Sequence, residues 1–101
     1  MNEVLSFLGL LNKGGKLLIG EKILYARKGS FMLIANDSGL AARKKFLDKA
    51  ESLRIAFSLD FDKGSLGSSL GYKEISAVLI KDGKAAKALR EKLSKKGVTD
   101  I

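Results

Sequence analysis

Histidine, cysteine, proline and tryptophan are all missing from this 101-residue sequence. Without histidine the chain lacks the usual general base near neutral pH and the commonest metal ligand. Without cysteine it can form neither disulfides nor a thiolate nucleophile. Carboxylates alone could hold magnesium or calcium, but Asp60 and Asp62 stand apart from the other acids and no calcium-loop spacing occurs. The serines have no histidine to activate them and no lysine placed by a recognised nucleophile motif. The expectation is therefore a protein with no catalytic residues, no metal, no cofactor and no small-molecule substrate. Long apolar runs are missing too, so no membrane span is expected. Met1-Asn2-Glu3 is not basic, and Ser6–Leu11 is too short and too helical for a signal peptide, which together lead us to expect a cytoplasmic protein.

What the chain does have is charge of one sign: 19 lysines and arginines against 11 acids, a net charge of +8. On a domain this small, that excess favours a polyanionic partner through long-range attraction. Apolar residues make up 46% of the sequence, enough for a real core, and the length suits one domain over residues 1–101.

Val4, Leu5, Phe7, Leu8 and Leu11 recur at helical spacing and predict a helix over Asn2–Leu11, ended by Asn12-Lys13-Gly14-Gly15. Lys16–Ile19 reads as a short strand. Glu21–Lys28 reads as a short helix, with its acid and its bases at the ends that suit the helix dipole. Phe31–Ala35 is a continuous apolar run, the pattern of a strand covered on both faces. Cap-type residues at Asn36-Asp37-Ser38-Gly39 introduce a helix over Leu40–Ser52. Its core face is expected to use Leu40, Phe46, Leu47 and Ala50, and its outer face Arg43, Lys44, Lys45 and Lys49. Arg54–Leu59 and Ser76–Ile80 complete a set of four strands. Lys84–Lys95 forms an amphipathic helix with Ala85, Leu89 and Leu93 in a stripe and Lys84, Lys87, Arg90, Lys92, Lys95 and Lys96 outside it. Helices alternating with strands argue for an α/β layered sandwich.

Two glycine-rich stretches invite comparison with phosphate-binding loops. Gly14-Gly15-Lys16 fails as a P-loop, because Leu10 stands where the first glycine belongs and Leu17 where Ser or Thr would hold magnesium. The stretch Gly64–Gly71, with Gly64, Gly67 and Gly71, does not have dinucleotide-fingerprint spacing. It reads as a short helical turn whose free amides and small Ser65, Ser68 and Ser69 side chains would let a nucleic-acid backbone come close, or else as a purely structural turn.

Three segments in order resemble the ribosomal kink-turn-binding superfamily, which includes the large-subunit proteins L-seven-Ae and L-thirty-e, and in particular its bacterial YlxQ-like branch. They are Leu8–Lys16 followed by Ile19-Gly20-Glu21, Met32–Ser38 with its Ala-x-Asp ending, and Leu66-Gly67 with Gly71. The resemblance implies a three-layer α/β/α sandwich around a small mixed four-stranded sheet. It also implies a non-enzymatic protein that binds sharply bent, structured RNA, ribosomal or of similar kind. The RNA contacts it implies fall on Gly20, Glu21 and Lys22, on Asn36 and Asp37, and on Leu66, Gly67, Gly71, Tyr72, Lys73 and Glu74, converging on one edge of the sandwich. Where kink-turn readers carry Asn-Glu this chain has Lys22-Ile23, and Ala26 stands at their later lysine, for which Arg27 is the expected substitute. An apolar Ile23 cannot accept from a guanine edge. Some members of the superfamily are protein–protein interaction modules instead, and an exposed apolar patch at Ile23, Tyr25 and Tyr72 would favour that alternative.

Overall fold

The computed structural model describes residues 3–98, with side chains as far as Leu93. Asn2, the expected first residue of the opening helix, and the side chains of Lys95 and Lys96 lie outside the described residues. The elements run α1 (Glu3–Lys13), β1 (Leu17–Ile19), a 3-10 helix (Gly20–Tyr25), β2 (Phe31–Ile34), α2 (Leu40–Leu53), β3 (Ala56–Ser58), α3 (Lys63–Leu70), β4 (Ala77–Ile80) and α4 (Gly83–Val98).

The four strands form one mixed sheet in the order β1-β4-β2-β3. β4 runs antiparallel to both of its neighbours, and β2 and β3 are parallel. It follows that β1, β2 and β3 all point one way. The central pair is apolar at every position because each face has a layer to meet. Phe31, Leu33, Val78 and Ile80 pack into one core with Val4, Leu8, Leu66 and Leu89 of α1, α3 and α4. Met32, Ile34, Ala77 and Leu79 pack into a second core with Ile23 of the 3-10 helix and Phe46 and Ala50 of α2. The fold is thus the α/β sandwich expected, with helices on both faces of a four-stranded mixed sheet. The continuous run from Phe31 was legible as a two-faced strand because successive side chains must enter opposite cores.

Three local expectations are corrected. The helix expected over Glu21–Lys28 is a 3-10 helix ending at Tyr25, where the Ala26 N–H reaches back to the Ile23 carbonyl and the chain turns extended. Only Ile23 of this segment is buried, and the residue one α-turn later is the exposed Arg27, so no apolar stripe sustains an α-helix. Leu40, assigned to the core face of α2, is 82% exposed. At 3.6 residues per turn it sits about 120° around the helix from Phe46, which defines the buried face. Arg43, assigned to the outer face, turns inward and donates from Nη2 to the carbonyls of Asn36 (3.1 Å) and Ser38 (3.3 Å).

α3 is a full helix despite its Lys-Gly-Ser-Leu-Gly-Ser-Ser-Leu sequence, which has poor intrinsic helix propensity. Its ends hold it. Asp62 is the N-cap and its Oδ1 accepts from the Ser65 N–H at 2.7 Å. Asp37 Oδ1 accepts from the Lys63 N–H at 2.9 Å. Gly71, at φ +81°, supplies the left-handed C-cap, and the Tyr72 N–H returns to the Gly67 carbonyl at 2.8 Å.

Candidate nucleic-acid interface

Because three strands end where β4 begins, the loops after β1, β2 and β3 and the loop before β4 share one end of the sheet. Gly20–Lys22, Asn36–Asp37 and Tyr72–Glu74 all lie there, as the family resemblance implied for those segments. Backbone bonds tie the loops together: the Asn36 N–H donates to the Phe61 carbonyl, the Ile75 N–H to the Lys63 carbonyl and the Ala35 N–H to the Ser76 carbonyl.

From this end a cleft of about 320 Å³ runs along β1, lined by Lys22, Tyr72, Asn12, Leu17, Leu18 and Ile19. Each wall comes from a different layer. Gly20, at φ +64°, turns the chain sharply out of β1 so that Lys22 projects from the 3-10 helix. Tyr72 follows the Gly71 cap on the opposite face. Gly9 lets α1 and α3 approach closely, since a Cβ there would sit 3.3 Å from the Ser69 carbonyl oxygen, and this brings Tyr72 beside the sheet edge. β1 has a single neighbour, so its outward N–H and C=O groups face the cleft floor. Tyr72 is half exposed at 53% and Lys22 is exposed, which leaves an aromatic face and an ammonium available together.

The other proposed site residues divide. Glu21 is exposed beside Lys22 and pairs with Lys45 of α2 at 3.6 Å. Asn36 and Asp37 are exposed but already used: Asn36 Nδ2 donates to the Leu59 carbonyl at 3.0 Å, and Asp37 caps α3. Lys73 and Glu74 are exposed on the rim. Leu66 is fully buried and belongs to the core, so it cannot touch a ligand. Gly67 is closed off by the chain itself, because a Cβ there would come within 2.8 Å of the Glu74 backbone. Its missing side chain makes room for residues 73–74, not for RNA. The anion site expected at the start of α3 is likewise filled by the chain's own Asp37 and Asp62 carboxylates. The Asp62 carboxyl is held below its ordinary value, chiefly by the bond from the Ser65 amide. Arg27 lies in the connection into β2, towards the other end of the sheet, and does not join the cleft. Ile23 is fully buried, so the apolar surface patch of Ile23, Tyr25 and Tyr72 does not form.

Asn12 and the exposed edge of β1 were not identified as site residues from sequence. The strand order that leaves β1 on the edge depends on β4 inserting between β1 and β2, for which no local signal exists.

No family model and no curated protein matches the chain. Among solved structures, it is similar to a protein of unknown function from Bacillus halodurans C, with 26% identity and a TM-score of 0.84, over 93% of this chain and 99% of that one.

Proposed function

We propose that this chain is a non-enzymatic RNA-binding protein that takes structured RNA at the β1 cleft, with the Tyr72 ring stacking on a base and Lys22 contacting phosphate or a base edge. The observation that carries this reading is that Lys22 and Tyr72, fifty residues apart in the chain, line one cleft. Base–aromatic stacking tolerates any sequence, and RNA recognition favours unstacked bases in loops and bulges. The net charge of +8 supports a polyanionic partner. Because Ile23 is a core residue, the guanine-reading acid of kink-turn readers has no counterpart at that position. The RNA class that fits is therefore structured RNA with an accessible loop or bulge, read by stacking and charge. Photo-crosslinking to an internally looped RNA followed by peptide mapping tests this. Adducts should concentrate on the peptides holding Lys22 and Tyr72, and adducts confined to other peptides would refute it.

A second reading is favoured by the opposite edge of the sheet. β3 has one strand neighbour, and Phe57 and Leu59 on and beside it are 46% and 37% exposed. An open strand edge flanked by apolar side chains suits protein docking. Loss of a protein partner on Phe57→Ser, with RNA binding intact, would support that role.

A further inference from the structure

The +8 charge is unevenly spread over the two ends of the sheet. The loops at the Lys22–Tyr72 end carry Glu21, Asp37, Asp60, Asp62 and Glu74 against Lys22, Lys63 and Lys73, an acidic majority. The opposite end, where β1, β2 and β3 begin, is built differently. Lys13 and Lys16 flank the turn from α1 into β1, and Arg27 and Lys28 lead into β2. Arg54 caps α2 just before β3, and Lys81 and Lys84 follow β4. Asp82 is the one acid in these connections, and it is engaged: its Oδ2 accepts from the Ala85 N–H at 3.3 Å and lies 4.0 Å from the Lys16 ammonium.

The backbone fixes these positions next to one another. The Lys81 N–H donates to the Lys16 carbonyl at 2.9 Å, the Ser30 N–H donates to the Ile80 carbonyl at 2.9 Å, and Ser30 Oγ donates to the Lys81 carbonyl at 3.3 Å. Gly29 lies flush on Leu79, where any side chain would collide with it, so the Arg27–Lys28 connection is pinned against the sheet. Lys28, Lys81 and Lys84 are exposed, and among the described residues none of them forms an ion pair. A cleft of about 620 Å³ opens beside α4 at this end, its charged lining being Lys87 and Arg90 against the single acid Glu91, with the Arg90 guanidinium 5.5 Å from the centroid of the Phe31 ring. Tyr25 is 85% exposed. Its 3-10 helix rises about 12 Å over six residues, close to the roughly 13 Å of a four-residue strand, so Tyr25 returns towards the basic end.

We infer that this basic end, with the α4 cleft that opens onto it, is a second RNA-binding surface, one that grips the phosphate backbone opposite the Lys22–Tyr72 cleft. The inference rests on the RNA-binding reading above and adds a division of labour. Affinity comes from charge at one end, and positioning of an unstacked base comes from the cleft at the other. Phosphate contacts of this kind fix affinity and salt dependence without reading sequence. The acidic majority at the cleft end disfavours phosphate crowding there, which leaves the basic end as the place where counterions are released.

The experiment compares two variants that each remove three units of positive charge. Lys28→Ala/Lys81→Ala/Lys84→Ala strips the basic end, and Lys44→Ala/Lys49→Glu strips the outer face of α2 while leaving the Lys45–Glu21 pair in place. Binding of both and of the wild type to an internally looped RNA is followed across a salt titration. The basic-end variant is expected to lose tenfold or more in affinity near 0.1 M salt, and its log–log slope should become shallower by roughly 2, at about 0.7–0.9 per phosphate contact. The α2 variant should stay within about threefold, with a slope change below 1, if net charge alone is not the cause. Equal losses in the two variants would overturn the inference, as would an unchanged slope in the basic-end variant. Lys81→Glu, a single exposed change, repeats the test should the triple variant fold poorly. The two readings fail separately. A wild type that binds no RNA refutes the functional proposal, whereas Tyr72→Ala losing affinity while the basic-end variant keeps it refutes only this one.

Discussion

Gly67 and Glu74 are in backbone contact: a Cβ at Gly67 would lie 2.8 Å from both the Glu74 Cα and its amide nitrogen. This approach holds the Lys73–Glu74 backbone against α3. The neighbouring Gly64, in the same helix, has no such constraint, and its nearest heavy atom would be Asp62 Oδ1 at 3.8 Å.

These two glycines predict opposite signs. Gly67→Ala drives a methyl group into backbone that cannot move aside, and overpacking of this kind costs about 1–3 kcal/mol. Gly64→Ala, at the second position of α3, removes only conformational freedom from the unfolded chain and should add up to about 0.4–1 kcal/mol. Denaturant midpoints of the two variants, measured with the wild type, check this. Two changes of the same sign would contradict it.

Ile23 gives a second prediction. It is fully buried in the core between the sheet, α2 and the 3-10 helix. Ile23→Ala should cost about 2–5 kcal/mol, within the range for large-to-small core changes. Ile23→Glu installs an acid at the position where kink-turn readers carry one, but here it would bury an unpaired carboxylate. It should unfold the domain or lower its melting temperature more than Ile23→Ala does. A well-folded Ile23→Glu variant would show that the 3-10 helix can turn this side chain outward.

The N-cap of α3 predicts a pH dependence. Bonding to the Ser65 amide holds the Asp62 carboxyl below its ordinary 3.8. A carboxyl depressed in the folded state adds stability above its unfolded pKa and loses that stability as the pH falls through its lower folded value. Asp62→Ala should therefore lower the melting temperature at pH 7, and its gap from the wild type should narrow below pH 3.8. A gap that is constant from neutral to acid pH would contradict the charge-assisted cap.

What was legible in the sequence follows from these particulars. The strands were readable because Phe31–Ile34 and Ala77–Ile80 are apolar at every position, as two buried faces demand. The last helix was readable because Ala85 and Leu89 are buried one turn apart. The 3-10 helix was not, because a single buried Ile23 leaves no period to detect. The candidate site was legible only in part. Motif order points to Gly20, Lys22 and Tyr72 at one end of the sheet, but it also points to Leu66, which is core, and to Gly67, which is closed by its own chain, because a glycine that admits a ligand and one that admits its own chain look alike in sequence. Long-range pairings, such as Asp37 with the Lys63 amide, separate residues by a whole helix and strand and leave no local trace.

Under the proposed function, RNA binds at the cleft that Lys22 and Tyr72 line together. The most direct test is the affinity of Lys22→Ala/Tyr72→Ala for an internally looped RNA at fixed salt, with the thermal transition as a folding control. Both side chains are exposed or half exposed, so the variant should unfold like the wild type. Loss of one stacked base alone is worth about 1–3 kcal/mol, roughly 5- to 150-fold, and the lost ammonium adds to this. An affinity loss of at least tenfold with an unchanged melting temperature is expected. Wild-type affinity in a folded double variant would contradict it.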